Sequence, residues 1–394
     1  MASWVSAPPH PPVFRCRKPS NPSLRFHSRP SNHCWAHIRS SPSRIYYSDD
    51  NGKRPSPEPV GIQLYNDIER LIIESAKLSN GDWRSGDWSE IEGTWVLRPR
   101  YSKPTSVVHF IGGIFVGAAP QLTYRLFLER LSEKGSLVIA TPFASGFDYF
   151  YIADEVQCKF DRCLRSLRDL VDGLPTFGVG HSLGSVIHLL IGSRYAVPRS
   201  GNVFMAFNNK AEMAMKQLES LSPPILKQVL PLVEQLPPLY MDLAQGREDF
   251  IPKPEETRRL IRSYYGISRN LLVKFKDDLI DETPALAKVL CSESAVSSML
   301  DMSIRMLPGD HGLPLQQALP DIPPAMADAV NRGGELLANL TVGTPWETVA
   351  KEVGNTLGAD SKIIRAQISK DVDLLVDVIA TWMALNSGPK LLRR

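Results

Sequence analysis

The sequence predicts an α/β protein with a doubly wound, mostly parallel sheet. From residue 94 onward, short apolar runs alternate with segments of helical periodicity, which indicates βαβ units with right-handed crossovers. Most of the runs are continuously apolar rather than alternating, as is typical of parallel strands buried on both faces. Seven runs are predicted as strands: TWVLR, SVVHFIG, SLVIATPF, PTFGVGH, NVFMAFN, NLLVKFK and SIRMLPG.

The remaining segments predict the domain organisation around this sheet. We expect a leader over residues 1–48, then a Pro-rich linker and an N-terminal helix over 49–93. The sheet domain is predicted over 94–320. It includes an inserted helical cap over 209–266, because no strand pattern occurs between residues 208 and 270. Residues 321–394 are predicted as a helical C-terminal extension.

The leader has the composition of an organelle transit peptide. It is rich in Ser and Pro, has no acidic residue before Asp49 and lacks the continuous apolar run of a secretory signal. Interruption by Pro and the lack of an amphipathic helix favour a plastid over a mitochondrion. We therefore expect a chloroplast protein, in the stroma or associated with the thylakoid; the alternative is a disordered tail. The leader carries seven basic residues: Arg15, Arg17, Lys18, Arg25, Arg29, Arg39 and Arg44.

Charge and composition exclude several classes of protein. Subtracting the seven leader charges from the net charge of +3 leaves −4, so the basic balance predicts no nucleic-acid partner. No uncharged apolar run reaches the ~18 residues of a transmembrane helix, and the best candidate contains Asp377. Peripheral association with a membrane stays open. Outside the leader, Cys158, Cys163 and Cys291 have no metal-binding or redox spacing, so reduced thiols and no metal site are predicted. No cofactor is predicted either.

A nucleophile elbow is predicted at Gly180-His181-Ser182-Leu183-Gly184. The segment fits G-x-S-x-G and lies between an apolar strand and an amphipathic helix, which is the context that gives this motif meaning. The flanking glycines permit a turn so sharp that the serine is exposed above the sheet, where helix N-terminal amides favour an oxyanion. His181 is expected to contribute through its backbone more than through its ring.

A dinucleotide site is the alternative for this glycine-rich turn. Gly178, Gly180 and Gly184 depart from the G-x-G-x-x-G spacing, however, and the next strand ends in Asn208 and Asn209 without a ribose-binding carboxylate. The pattern therefore favours the nucleophile.

An acid and a histidine follow the elbow in the chain order Ser, Asp, His of this motif. NLLVKFK ends in DDLID, where Asp277 is the preferred acid because it comes directly at the strand end, with Asp278 as the alternative. SIRMLPG ends in Asp-His-Gly, which makes His311 the predicted base. His188 is expected to be a packed helix residue, and His109 to border the site without acting in it.

An oxyanion hole needs two backbone N–H groups. One is expected from Leu183, and the other from the glycine-containing turn after SVVHFIG, where Ile114 and Gly113 are both candidates.

With GHSLG, DDLID and GDHG placed in order, the chain resembles the α/β-hydrolase superfamily over residues 94–315. More narrowly, HFIGGIFVGAAPQLTYRLFLERL, ATPFASGFDYFYIADEV and GVGHSLGS resemble the plastid and cyanobacterial family catalogued as domain of unknown function 1350. The resemblance implies the α/β-hydrolase fold and a plastid location but no substrate. It carries the triad roles to Ser182, Asp277 and His311. The acid loop departs from the superfamily pattern, because it lacks the glycine common there.

The predicted activity is that of a serine hydrolase acting on an ester or thioester, lipid-derived if the apolar cap helices line an acyl tunnel rather than a packed core. The expected partner is a small, partly apolar acyl compound. Acyl transfer or a lyase step on the same triad, and a binding or assembly role on a hydrolase scaffold, are the alternatives.

Overall fold

The computed structural model describes residues 66, 69, 70, 73, 87–210, 250–291, 300–315 and 361–388, with the side chains of the last segment from residue 369. Its centre is a sheet of eight strands: β1 Trp88–Ile91, β2 Thr94–Leu97, β3 Ser106–Ile111, β4 Ser136–Ala140, β5 Thr176–His181, β6 Gly201–Met205, β7 Arg269–Phe275 and β8 Asp301–Leu307. Their order in the sheet is β1-β2-β4-β3-β5-β6-β7-β8. Strands β3 to β8 are parallel to one another, while β1 and β2 form an antiparallel hairpin at one edge.

The order, the parallel strands and the flanking helices confirm the predicted α/β-hydrolase fold, and all seven predicted strands are present. Strand β1 was not predicted, since residues up to 93 were assigned to the linker and N-terminal helix. Its four residues are mostly accessible and form no apolar run. Glu92 and Gly93 connect it to β2 with positive φ angles of 53° and 73°, a combination that suits a tight two-residue hairpin turn.

Helices cover both faces of the sheet. The helices are α1 Pro120–Thr123, α2 Arg125–Glu133, α3 Tyr149–Ser166, α4 Arg168–Val171, α5 Leu183–Arg194, α6 Pro254–Tyr264, α7 Thr283–Leu290 and α8 Ser361–Asn386. Helix α5 packs against both α3 and α6 on one face, and α2 and α8 pack together on the other. Short 3₁₀ helices occupy Val116–Ala118 and Leu313–Leu315. None of the helices in the described ranges is long and apolar enough to cross a membrane.

The predicted cap is corrected at its C-terminal end. Its last helical segment is α6, which packs on α5 through the buried side chains of Thr257 and Ile261 and is therefore a core helix between β6 and β7. Residues 211–249 of the predicted cap lie outside the described residues. The chain returns from them at Phe250, whose ring contacts Phe147 and Tyr149 in the segment after β4.

The C-terminal helix α8 completes the core. Its side chains at Leu375, Val376 and Ile379 are fully buried, and Trp382 contacts the ring of Phe177 in β5. Arg269 donates a hydrogen bond to the carbonyl of Asn386 at the end of α8 (2.6 Å). The predicted helical character of the C-terminal extension is thus confirmed over Ser361–Asn386, while residues 316–360 and most of the predicted N-terminal helix lie outside the described residues.

A polar network lies between the sheet and its helices. Arg199 donates to Nδ1 of His188 (2.7 Å) and to Nδ1 of His109 (2.8 Å), and also to the side-chain oxygen of Gln157 (3.0 Å). Both histidines are fully buried, so the expectation that His188 is a packed helix residue is confirmed. Gly178 makes room for this network, because a Cβ atom there would overlap Arg199. Gly178, one of the three glycines in and before the turn, is therefore required by the packing of Arg199.

The network requires neutral histidines. Arg199 can only donate, so Nδ1 of each histidine accepts and Nε2 of each histidine carries the proton. Nε2 of His188 donates its proton to the carbonyl of His109 (3.1 Å). Burial and then the charge of Arg199 hold the pKa of both rings well below the usual value.

This arrangement predicts a pH-dependent stability. A histidine whose pKa is depressed by folding stabilises the protein above its unfolded pKa, and the contribution is lost as the pH falls below about 6.5. His188→Gln removes one such site. Between about pH 6.5 and pH 5, the free energy of unfolding of this variant should fall less steeply than that of the wild type, by about 1.4 kcal/mol per pH unit. Urea denaturation at several pH values measures both slopes, and equal slopes would contradict a neutral, buried His188.

Candidate active site

The elbow places Ser182 between β5 and α5 with a strained backbone. Its φ of 53° and ψ of −116° are rare for a residue with a side chain, and only 3% of its surface is exposed. The flanking glycines are required. A Cβ at Gly180 would lie 2.6 Å from the backbone of Gly184, and a Cβ at Gly184 would overlap the carbonyl oxygen of Ile111 in β3. The helix therefore approaches two strands more closely than any other residue type would allow.

The predicted base contacts an acid from the neighbouring strand. Nδ1 of His311, beyond β8, donates to a carboxylate oxygen of Asp278, beyond β7, at 2.8 Å. Both side chains are almost completely removed from solvent. The other oxygen of Asp278 accepts from the amide of Ile280 (2.9 Å), so the carboxylate is held at both ends.

This hydrogen bond corrects the preference for Asp277 as the acid. Asp277 continues the pairing between β7 and β8, with its amide donating to the carbonyl of Gly309 (3.0 Å), and its side chain is exposed. The chain turns only after it, so the next residue faces His311. In the structure, Asp278 also accepts from the amide two residues on, a common turn pattern that Asp281 and Asp310 share, so the sequence alone does not distinguish the two candidates.

The electrostatics of the pair suit an ionised acid. Burial alone would raise the pKa of Asp278, but the hydrogen bond and charge of His311, together with the Ile280 amide, outweigh it and lower that pKa. Asp278 is therefore negatively charged at neutral pH and able to stabilise a protonated His311.

Ser182 and His311 are brought to the same edge of the sheet without a hydrogen bond between their side chains. The residue before Ser182, His181, donates from Nε2 to the backbone carbonyl of His311 (2.9 Å), and the two imidazole rings lie 5.1 Å apart. Nε2 of His311 is buried, and none of the described residues gives it a hydrogen-bond partner. Hydrogen bonds between nucleophile and base are often long in unliganded enzymes and tighten with substrate.

The hydrogen bonds of their amides distinguish Gly113 from Ile114 as candidate donors to an oxyanion. The Gly113 amide donates to the hydroxyl of Tyr124 (2.7 Å), and the Phe115 amide donates to the hydroxyl of Ser145 (2.8 Å). Between them, the Ile114 amide has no acceptor among the described residues. Gly113 is thereby corrected as a donor, because its N–H group is already used.

The second predicted donor, Leu183, is the first residue of α5, and its amide likewise lacks an acceptor in the described part of the chain. Two free amides therefore belong to the two positions that an oxyanion hole requires.

A residue far upstream supports the loop after β3. Ser145, which accepts from the Phe115 amide, donates its own amide to the carboxylate of Glu69 (2.7 Å). Burial raises the pKa of Glu69, although its bonds with Ser145 oppose that shift. Sequence reasoning missed this contact, because nothing in a predicted amphipathic helix indicates which of its carboxylates will cross to a loop 76 residues away.

Two predicted features can be placed outside the site. His109 was expected to border it, but the ring lies in the buried network and stacks on Phe160 with centroids 3.9 Å apart. Cys158, Cys163 and Cys291 form no disulfide within the described part of the chain. Within the described ranges, no group of three or more histidine, cysteine, aspartate or glutamate side chains could hold a metal ion.

Comparisons with known proteins give a family and weaker structural likenesses. A family model described as "Protein of unknown function (DUF1350)" matches residues 87–322. No curated protein matches significantly. One similar solved structure is the esterase domain of a Rhodothermus marinus protein, with 12% identity, a TM-score of 0.38 and coverage of 75% of this chain and 93% of that chain. A lipase in its open form has 15% identity, a TM-score of 0.38 and coverage of 73% of this chain and 94% of that chain. A thioesterase domain from the curacin biosynthetic pathway has 13% identity, a TM-score of 0.36 and coverage of 58% of this chain and 94% of that chain. At these TM-scores the likenesses carry no argument about the reaction.

The geometry reverses the predicted ranking of the two aspartates. Asp278→Asn should lower kcat on an activated short-chain ester by about 10⁴-fold, since the amide both loses the charge and favours the wrong tautomer of His311. Asp277→Asn is the matched control, and it should stay within about twofold of wild type because its side chain is exposed and does not contact His311. A larger loss from Asp277→Asn than from Asp278→Asn would contradict this assignment.

Proposed function

The chain belongs to the family described as Protein of unknown function (DUF1350), and because that description names no reaction, we propose its function from the geometry of the site. The protein is a serine hydrolase that cleaves an ester or thioester. The observation that carries this proposal is the hydrogen bond between Asp278 and His311 beside a serine in a strained strand-to-helix turn.

The residues divide the reaction as follows. His311 takes the proton of the Ser182 hydroxyl at Nε2 while Oγ attacks the acyl carbonyl, and Asp278 stabilises the imidazolium that forms. The amides of Leu183 and Ile114 donate to the oxyanion. His311 then gives its proton to the leaving alcohol or thiol. Water, deprotonated by His311, hydrolyses the acyl-enzyme and restores Ser182.

The side chains around the two free amides support an apolar acyl group. Ile114 and Leu183 supply the amides, and their apolar neighbours in the chain, Phe115 after Ile114 and Leu313 two residues after His311, are buried, with exposures of 2% and 3%. The positive φ of 63° at Phe115 holds the residue after Ile114 in a strained conformation typical of functional loops. A substrate whose acyl portion is apolar, including one derived from a lipid, fits these surroundings best.

Ser182→Ala tests the nucleophile. The variant should fold, because the turn depends on the flanking glycines, but turnover of p-nitrophenyl butyrate should fall by about 10³–10⁶-fold. A fluorophosphonate probe should label the wild type and not the variant. Ser193→Ala is a matched control in helix α5, which Ser182 directly precedes. Among the described residues the Ser193 hydroxyl bonds only the carbonyl of Leu189 (2.7 Å), so labelling and turnover should persist.

Wild-type turnover by purified Ser182→Ala protein would contradict the assignment of Ser182 as the nucleophile. A wild type that neither reacts with the probe nor turns over esters would favour a binding or assembly protein on this fold. Product analysis with competing alcohols then separates hydrolysis from acyl transfer.

We further propose that the protein acts in the chloroplast, on the basis of the Ser- and Arg-rich leader without acidic residues. A fluorescent protein fused to residues 1–60 should accumulate in plastids of leaf cells. A matched fusion in which the seven basic residues of the leader are replaced by Gln should stay in the cytosol. Cytosolic fluorescence from the unaltered fusion would contradict the location without bearing on the reaction.

A further inference from the structure

Three hydrogen bonds form a continuous buried chain beneath the candidate active site. The Gly113 amide donates to the hydroxyl of Tyr124 (2.7 Å), this hydroxyl is 2.8 Å from Nδ1 of His181, and Nε2 of His181 is 2.9 Å from the backbone carbonyl oxygen of His311. Tyr124 and His181 are 1% and 0% exposed. The chain therefore runs from the loop after β3, across the elbow, to the residue that carries the imidazole base.

Only one set of donors and acceptors satisfies this chain. The carbonyl of His311 can only accept, so Nε2 of His181 carries the ring proton and Nδ1 must accept. The hydroxyl of Tyr124 must then donate to Nδ1, which leaves its oxygen to accept from the Gly113 amide. Burial, followed by the nearby charge of His311, lowers the pKa of His181 to about 3, so the ring stays neutral during turnover at neutral pH.

The groups at the two ends of the chain both belong to the proposed reaction. Gly113 directly precedes Ile114, whose free amide is an oxyanion donor, and His311 is the base. The side chain of His311 is held by Asp278 at 2.8 Å, but its backbone is held by His181. Because His181 is itself adjacent to Ser182, a single ring connects nucleophile, base and oxyanion loop.

We propose that His181, with Tyr124, is a positioning residue that holds the backbone of His311 and the amide of Ile114 in register with Ser182. The proposal rests on the proposed hydrolase function. It revises the expectation that His181 contributes mainly through its backbone, since the ring makes both contacts.

Two variants interrupt the chain at different points. Tyr124→Phe removes only the hydroxyl, and His181→Met removes both ring nitrogens while keeping an apolar side chain of similar volume. A displacement of about 1 Å at reacting groups costs up to about 10²-fold in rate, so each variant should lower kcat for p-nitrophenyl butyrate by about 10–100-fold with KM changed less than about threefold. The double variant should lose little more than either single one, because the two residues act as one unit.

A conservative variant and a matched control separate positioning from mere packing. The side-chain amide of His181→Gln can still donate to the His311 carbonyl and accept from Tyr124, so kcat should recover most of the loss seen in His181→Met. Tyr265→Phe is the control for Tyr124→Phe. It removes another buried tyrosine hydroxyl, which donates to Asn270 (2.6 Å) and accepts from Asn202 (2.9 Å) in the core. It should lower the thermal midpoint and leave kcat unchanged.

Each outcome decides the proposal. If Tyr124→Phe and His181→Met fold and retain wild-type kcat, or if their losses multiply in the double variant, the positioning role is wrong. If His181→Met does not fold, the comparison of Tyr124→Phe with Tyr265→Phe decides alone. Failure of the proposed function is recognised separately, because wild-type protein would then show no labelling of Ser182 and no turnover that depends on it.

Discussion

The close approach of helix α5 to strands β3 and β5 at the elbow is the constraint on which the rest of the site depends. Side chains at positions 180 and 184 would collide with backbone, and the strained φ of Ser182 is sustained only because both are glycine. The strain is held by a fully buried core in which α5 contacts the sheet on one face and the helices α3 and α6 beside it. Ser182 is consequently a rigid residue on a rigid element, with the first amide of a helix beside it.

Most of the polar groups described around this elbow have hydrogen-bond partners. The amides on either side of Ile114 are bonded to hydroxyls, the two oxygens of Asp278 are bonded to His311 and Ile280, and His181 is bonded at both nitrogens. Buried polar groups normally find partners, so the exceptions are informative. In the described residues those exceptions include Nε2 of His311, and the amides of Ile114 and Leu183 stand free as well. They are the three groups that acyl transfer from a serine would use.

A second buried network stabilises the fold at a distance from this site. Arg199 connects histidines from β3 and α5 to Gln157 of α3, and therefore ties the central strand to two helices. Burial lowers the pKa of Arg199 to about 10, yet at neutral pH it remains the charged centre of the network. The protein thus uses histidine in three ways: as a proposed base, as a neutral support beside the proposed nucleophile and as a neutral acceptor in the core.

The sequence by itself determined the fold class, the elbow and the chain order of the candidate serine, acid and histidine. Local features carry these properties: apolar runs for buried strands, glycines two residues either side of Ser182, and polar turns after β7 and β8. Only the tertiary structure decided between neighbours. Asp278 rather than Asp277 faces His311, and Ile114 rather than Gly113 keeps a free amide, because each choice depends on where a residue distant in sequence places its donor or acceptor. The same reason hid the contacts of His181 with Tyr124 and His311, which join groups 57 and 130 residues apart and leave no local pattern.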